Sequence, residues 1–218
     1  MIPKIIHYCW FGSIIPEYVQ ENVNSWKKFL PEYEFRLWNE NNFAIDENLY
    51  CKQAYNTKYY EFVSDYCRMK VLNEFGGIYL DTDMVLVKSF DKRLLLNETF
   101  IGAQEVKNDK FSPGFGIIGT VPNSKLTNKM LDYYKTHAFI NNGIIDKTPI
   151  NEIYNNITPI DIDIKIYPVH FFYAMDMYSG NINISVATYT YHKWAWYDCN
   201  RNSSHWYSRK DTLVKNEN

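Results

Sequence analysis

The sequence is short of several things that would have announced a function. It has only four cysteines, Cys9, Cys51, Cys67 and Cys199, none in a C-x-x-C pair. That excludes a disulfide framework and a zinc-finger site, and it reads as reduced thiols. No excess of positive charge is present: 23 Lys and Arg against 25 Asp and Glu give a formal net charge of −2, which offers no electrostatic case for nucleic acid. No apolar run reaches membrane-spanning length. The opening "MIPKIIHYCW" lacks the long apolar core and small-residue cleavage site of a signal peptide, which sets an expectation of a cytoplasmic protein. Internal repeats, low-complexity segments and linkers are absent too. In 218 residues, this leaves one domain with a sizeable core.

Aromatic residues are abundant, at 17% with 19 tyrosines and 6 tryptophans. Most must fill the core, but flat faces with a polar edge also suit nucleobases and sugars. "PKIIHYCWFG" reads as a buried strand ending in a Gly turn. Pro16 stands as the first residue of a helix whose Val19, Val23, Trp26 and Leu30 fall at helical spacing, and Pro31 ends it. "YEFRLW" is a second strand. A strong helix runs from about Tyr59 to Phe75 and closes at Gly76-Gly77. Strand follows from Ile78 to Asp81, and again from Val85 to Val87. Alternation of strand and helix argues for an α/β fold with a mainly parallel sheet. Further on, "TFIGAQ", "GFGIIGT", "IKIYPVHFF" and "ISVATYTYH" read as strands. "NSKLTNKMLDYYKTH" and "TPINEIYNN" read as helices, the former capped by Asn123 or Ser124.

The chemistry gathers in "YLDTDMVLV", Tyr79 to Val87. Asp81 and Asp83 interrupt an apolar strand, two apart and therefore directed to one face. They lie where a strand ends, the usual ligand site of an α/β sheet. Two converging carboxylates suit a hard divalent cation, Mn²⁺ or Mg²⁺, with positions left open for a diphosphate. Upstream, Asp65 and Arg68 share a helix face. The glycines of "SPGFGIIGT" match no dinucleotide fingerprint and are expected to let backbone approach the donor sugar or the acceptor.

Taken together, "SDYCRMKVLNEFGGIYLDTDMVLVKSFD" and "IPKIIHYCWFG" resemble glycosyltransferase family 32, the D-x-D sugar transferases that include bacterial capsular-polysaccharide enzymes and the catalytic domain of clostridial glucosylating toxins. The likeness covers about Ile2 to Phe90 and is weaker beyond. It implies a single GT-A domain, a Rossmann-like sheet flanked by helices over residues 1–205, with 206–218 a polar tail. It implies that Asp81 and Asp83 bind the metal and that Asp65 and Arg68 hold the hydroxyls of the donor sugar. Tyr79 would stand beside the donor, and Cys9, Trp10 and Phe11 would meet the uridine. His192 is the candidate third metal ligand and Lys193 the candidate phosphate contact, with Trp194 and Trp196 close behind. "HKWAWY" lacks the serine found there in many bacterial relatives. The implied activity is metal-dependent, retaining transfer of a hexosyl unit from a nucleotide sugar, UDP-linked or GDP-linked, to a saccharide or lipid-linked saccharide in surface polysaccharide synthesis. A peripheral position at the inner face of the membrane fits such an acceptor. The alternatives are a transferase acting on a protein and a sugar-nucleotide-binding module without turnover.

Overall fold

The structure is a computed structural model describing residues 1–107, 110–157 and 164–194; Trp196, Cys199 and the 206–218 tail lie outside the described residues. In chain order the elements are β1 (Ile5–Cys9), α1 (Glu17–Phe29), β2 (Glu34–Trp38), α2 (Leu49–Asn56), α3 (Tyr60–Phe75), β3 (Gly77–Leu80), β4 (Met84–Leu86), α4 (Lys92–Leu95), β5 (Thr99–Lys107) and β6 (Lys110–Thr120). They continue with α5 (Lys125–Thr136), β7 (Ile140–Asn141), β8 (Ile144–Ile145), α6 (Ile150–Ile157), β9 (Lys165–Tyr167), α7 (Val169–Phe172) and β10 (Thr190–His192). Six strands form the central sheet in the order β2-β1-β3-β6-β5-β9, and β7-β8 and β10-β4 form separate antiparallel pairs. Within the central sheet β6 alone runs against its neighbours, so the sheet is mainly parallel, as the alternation of elements predicts.

Strand alternation sorts the core onto two faces. Tyr79, Ile101 and Ile118 pack with Tyr50, Phe62, Met69, Leu126 and Ile150, which places α2, α3, α5 and α6 on one side. Their neighbours Ile78, Leu80, Phe100 and Ile117 pack with Val19, Trp26, Leu94 and Phe172, placing α1, α4 and α7 on the other. Helix α3 has buried residues nearly all round, including Asp65 and Arg68, and lies against β1, β3, α2 and α5.

Some expectations shift. Pro16 is the N-cap of α1, not its first helical residue, and its carbonyl accepts from Val19 and Gln20. "IKIYPVHFF" is not one strand: β9 stops at Tyr167, and Pro168, which cannot donate to a ladder, begins the short α7. In "ISVATYTYH" only the last three residues are strand. Ser185 and Thr188 bond each other's backbone and hydroxyl groups in a turn that competes with a ladder. Gly119 serves packing, because a Cβ there would overlap the Phe100 ring.

His7, fully buried in β1, shows how tightly this half is specified. Its Nδ1 accepts from Trp38 Nε1 at 3.0 Å and its Nε2–H donates to the Gly76 carbonyl at 2.9 Å. Both bonds require the neutral ring. Burial is the largest cause that lowers its pKa to about 4, against 6.5 for an ordinary histidine. The unfolded chain therefore binds the extra proton between those values. Stability should rise with pH across that window and fall by about 3 kcal/mol as pH drops from 6.5 to 4. Nitrogen chemical shifts should report the Nε2–H tautomer down to about pH 5; a midpoint near 6.5 would contradict this arrangement.

Candidate active site

Parallel strands β1 and β3 end at the same edge of the sheet. Their register, His7 opposite Tyr79, brings Cys9 level with Asp81. At that edge opens a cavity of about 1320 Å³, lined among others by Cys9, Trp10, Phe11, Asp65, Arg68, Tyr79, Asp81, Asp83, His192 and Trp194. Nine of the ten residues singled out as candidate site residues thus meet around one space. Lys193 does not line it: its side chain is exposed, and its backbone N–H donates to the Asp83 carbonyl at 3.0 Å.

Arg68 is the hub. On α3 it faces the same side of the sheet as Tyr79 and Asp81, and its guanidinium lies 4.5 Å from the centre of the Tyr79 ring. One NH2 group reaches Asp65 Oδ1 at 2.9 Å and Asp81 Oδ1 at 3.4 Å; the other end donates to the Phe115 carbonyl at 2.7 Å. Burial pushes Asp65 up to about 7 despite Arg68, and nearby Asp81 adds to the rise. Asp81 behaves oppositely. Burial would raise it as well, but Arg68, His192 and the Tyr79 hydroxyl outweigh that and hold it below the ordinary carboxylate value. The Tyr79 hydroxyl donates to Asp81 Oδ1 at 3.0 Å, so Oδ1 is engaged and Oδ2 faces His192.

Asp81 lies just past β3, and a tight turn through Thr82 and Asp83, closed by Met84 N–H to the Asp81 carbonyl at 2.9 Å, leads into β4. The pair therefore converges through a turn and not through strand alternation. His192 arrives from far along the chain because β10 pairs antiparallel with β4, His192 opposite Met84. Its Nε2 lies 3.0 Å from Asp83 Oδ1 and 3.7 Å from Asp81 Oδ2. Burial alone would lower its pKa, but Asp83 and Asp81 outweigh it and raise the ring to about 9. One donor atom from each of the three residues lies within 4.8 Å of the others, and His192 Nδ1 is buried with no hydrogen-bond partner among the described residues. Two hard carboxylate oxygens and an imidazole suit Mn²⁺ or Mg²⁺, so the donor set fits the cation expected from the sequence.

Several residues that shape the site were not among the candidate site residues read from the sequence. Gly116 is required by crowding: a Cβ there would sit 2.9 Å from Asp81 Oδ2 and 3.1 Å from the Tyr173 hydroxyl. Gly114 likewise makes room for Tyr173, so the glycines of "SPGFGIIGT" accommodate the chain's own side chains. Gln104, Asn151 and the segment from Ala174 to Asn183 complete the cavity wall. Only tertiary contact reveals these, since nothing in their spacing distinguishes them from loop residues. The hub makes its own prediction. Arg68→Ala should destabilise the fold by about 3–5 kcal/mol, because Asp65 and Asp81 lose their buried partner. Denaturant unfolding should also show partial recovery when Asp65→Asn is added; a loss under 1 kcal/mol would refute the hub.

Comparison with known proteins finds similarity to glycosyltransferases. The family described as "Glycosyltransferase sugar-binding region containing DXD motif" matches residues 16–102. An uncharacterised glycosyltransferase of Acanthamoeba polyphaga mimivirus is 32% identical over 150 residues, covering 64% of this chain and 57% of that protein. Inositol phosphoceramide mannosyltransferase 3 of Schizosaccharomyces pombe is 33% identical over 97 residues, 43% of this chain and 27% of that protein. The chain thus spans less than two thirds of the length of either relative. Among solved structures, the PaToxG glycosyltransferase superposes with a TM-score of 0.43 at 24% identity, over 60% of this chain and 59% of that one. Over residues 16–102, which take in Asp65, Arg68, Tyr79, Asp81 and Asp83, the chain is therefore similar to glycosyltransferases with a D-x-D sugar-binding region.

Proposed function

We propose that the chain is a metal-dependent, retaining glycosyltransferase. It moves a hexosyl unit from a UDP-linked sugar to a saccharide or lipid-linked saccharide in bacterial surface polysaccharide synthesis, acting on the cytoplasmic side. The observation that carries this reading is the meeting of Asp81, Asp83 and His192 in one cavity with Asp65, Arg68 and the end of β1. Among the described residues no helix is long and apolar enough to cross a membrane, so a lipid-linked acceptor would be met by peripheral contact.

Asp81 through Oδ2, Asp83 and His192 would hold the cation. When bound, Mn²⁺ or Mg²⁺ offsets the negative charge that develops on the departing diphosphate. The chain's own groups do the rest. Cys9, Trp10 and Phe11 receive the base, and Tyr79 carries Arg68 on its face beside the donor. Asp65 and Arg68 offer an acceptor and a donor to the sugar hydroxyls. Lys193, tied by its backbone to the acidic turn but with an exposed side chain outside the cavity lining, would have to swing inward to meet a phosphate. Asp65 and Asp81 are both engaged by Arg68, so neither is arranged as a free nucleophile. Displacement on one face, with a departing phosphate oxygen taking the acceptor's proton, asks no base of the chain and retains configuration.

Mn²⁺-dependent release of UDP from a UDP-sugar panel, abolished by chelator, tests the proposal directly. Asp83→Asn should lower turnover by ~10²-fold or more, since metal charge stabilisation is worth several kcal/mol; unchanged turnover would overturn the metal role. His192→Ala should weaken Mn²⁺ binding and shift preference toward Mg²⁺ with the fold intact. An unaltered Mn²⁺/Mg²⁺ ratio in calorimetry would remove His192 from the ligand set.

A further inference from the structure

Tyr173 stands at the end of α7, buried, with its aromatic ring laid against β5 and β6. Three glycines make room for it. A Cβ at Gly102 would lie 2.8 Å from the ring, one at Gly114 2.5 Å from the hydroxyl, and one at Gly116 3.1 Å from the hydroxyl. None of the three has a positive φ, so space and not backbone conformation requires glycine there.

The ring touches both ends of the ligand cluster. Gly116 N–H donates to the Tyr173 hydroxyl at 3.0 Å, and the Gly116 carbonyl accepts from Asp81 N–H at 2.8 Å. Through the single residue Gly116, the phenol is therefore linked to the backbone that carries Asp81. On its other side the ring lies 5.8 Å from the His192 imidazole and 5.7 Å from the Trp194 indole, centre to centre. Trp194 in turn meets His192 edge-on at 4.1 Å. The imidazole is thus walled in by two aromatic rings. Asp81 comes from β3, and His192 comes from β10, which belongs to a separate strand pair. Tyr173 contacts the supports of both residues, Gly116 on one side and the His192 ring on the other.

We propose that Tyr173 is a positioning residue for the cation: together with the β10–β4 pairing it sets the separation of Asp81 and His192, through the Gly116 bond and the ring tilted against the imidazole. This rests on the reading of Asp81, Asp83 and His192 as metal ligands. Groups behind metal ligands commonly shift metal affinity by 10–100-fold. Tyr173→Phe keeps the ring and removes the hydroxyl with its backbone bonds to Gly116 and Ile117. Gly114→Ala keeps the hydroxyl and displaces it by crowding, and serves if the first variant folds poorly.

The test is Mn²⁺ affinity, measured by the electron-spin signal of free Mn²⁺ well below each protein's melting temperature, with Asp83→Asn alongside. Expected are a Kd raised about tenfold or more in Tyr173→Phe and in Gly114→Ala, with circular dichroism unchanged, and loss of binding in Asp83→Asn. A merely structural tyrosine would lower the melting temperature and leave the Kd unmoved, which would overturn the inference while leaving the metal site standing. Absence of Mn²⁺ binding in the unmutated protein, or retention of it in Asp83→Asn, would overturn the metal reading and this inference with it.

Discussion

The buried guanidinium of Arg68 is the constraint on which the rest of the site depends. A charge this deep is tolerable only if its N–H groups are satisfied, and here they are shared between two carboxylates and two backbone carbonyls, Phe115 and Ser64. The arrangement fixes what each partner can do. Asp81 gives one oxygen to Arg68 and Tyr79, which leaves the other for the cavity. Asp65 is held at the cavity wall by the same guanidinium. Without Arg68, Asp65 of α3 and Asp81 just past β3 would face each other as carboxylates with no cation between them.

The sheet explains why such a hub can exist at this place. Parallel β1 and β3 end together, α3 lies across the face that Tyr79 presents, and glycines in β6 bring its backbone within reach of Asp81. A helix buried on nearly every side can carry an arginine and an aspartate inward, one turn apart, only where strand side chains meet them. The Tyr79 ring and hydroxyl do so.

Much of this was legible in the sequence because it is local. The pattern from Ser64 to Asp83 places helix, Gly-Gly turn, strand and acidic turn in one continuous stretch, and periodicity with turn chemistry is enough to order them. The glycosyltransferase class came from the same stretch by resemblance, and the family match lies over it. What stayed illegible is long-range. The roles of Gly114, Gly116 and Tyr173 consist of mutual contact between segments far apart, and a lone tyrosine or glycine carries no periodic signal. The late strands were overread for a related reason. Alternating Ile, Val, Thr and Tyr favours strand, but Pro168 and the Ser185–Thr188 turn override that preference locally.

The pairing of β10 with β4 has a consequence for how the protein matures. Asp81 and Asp83 are present on a segment whose neighbours are close in sequence, whereas His192 joins them only when nearly half the chain has been gathered and its last described strand has docked. Closing so long a loop is an entropic cost that no local contact repays. A cation held by all three residues would therefore select for chains in which that docking is complete and stabilise them by mass action. If the three residues share a cation, that site would be complete only once β10 has docked on β4.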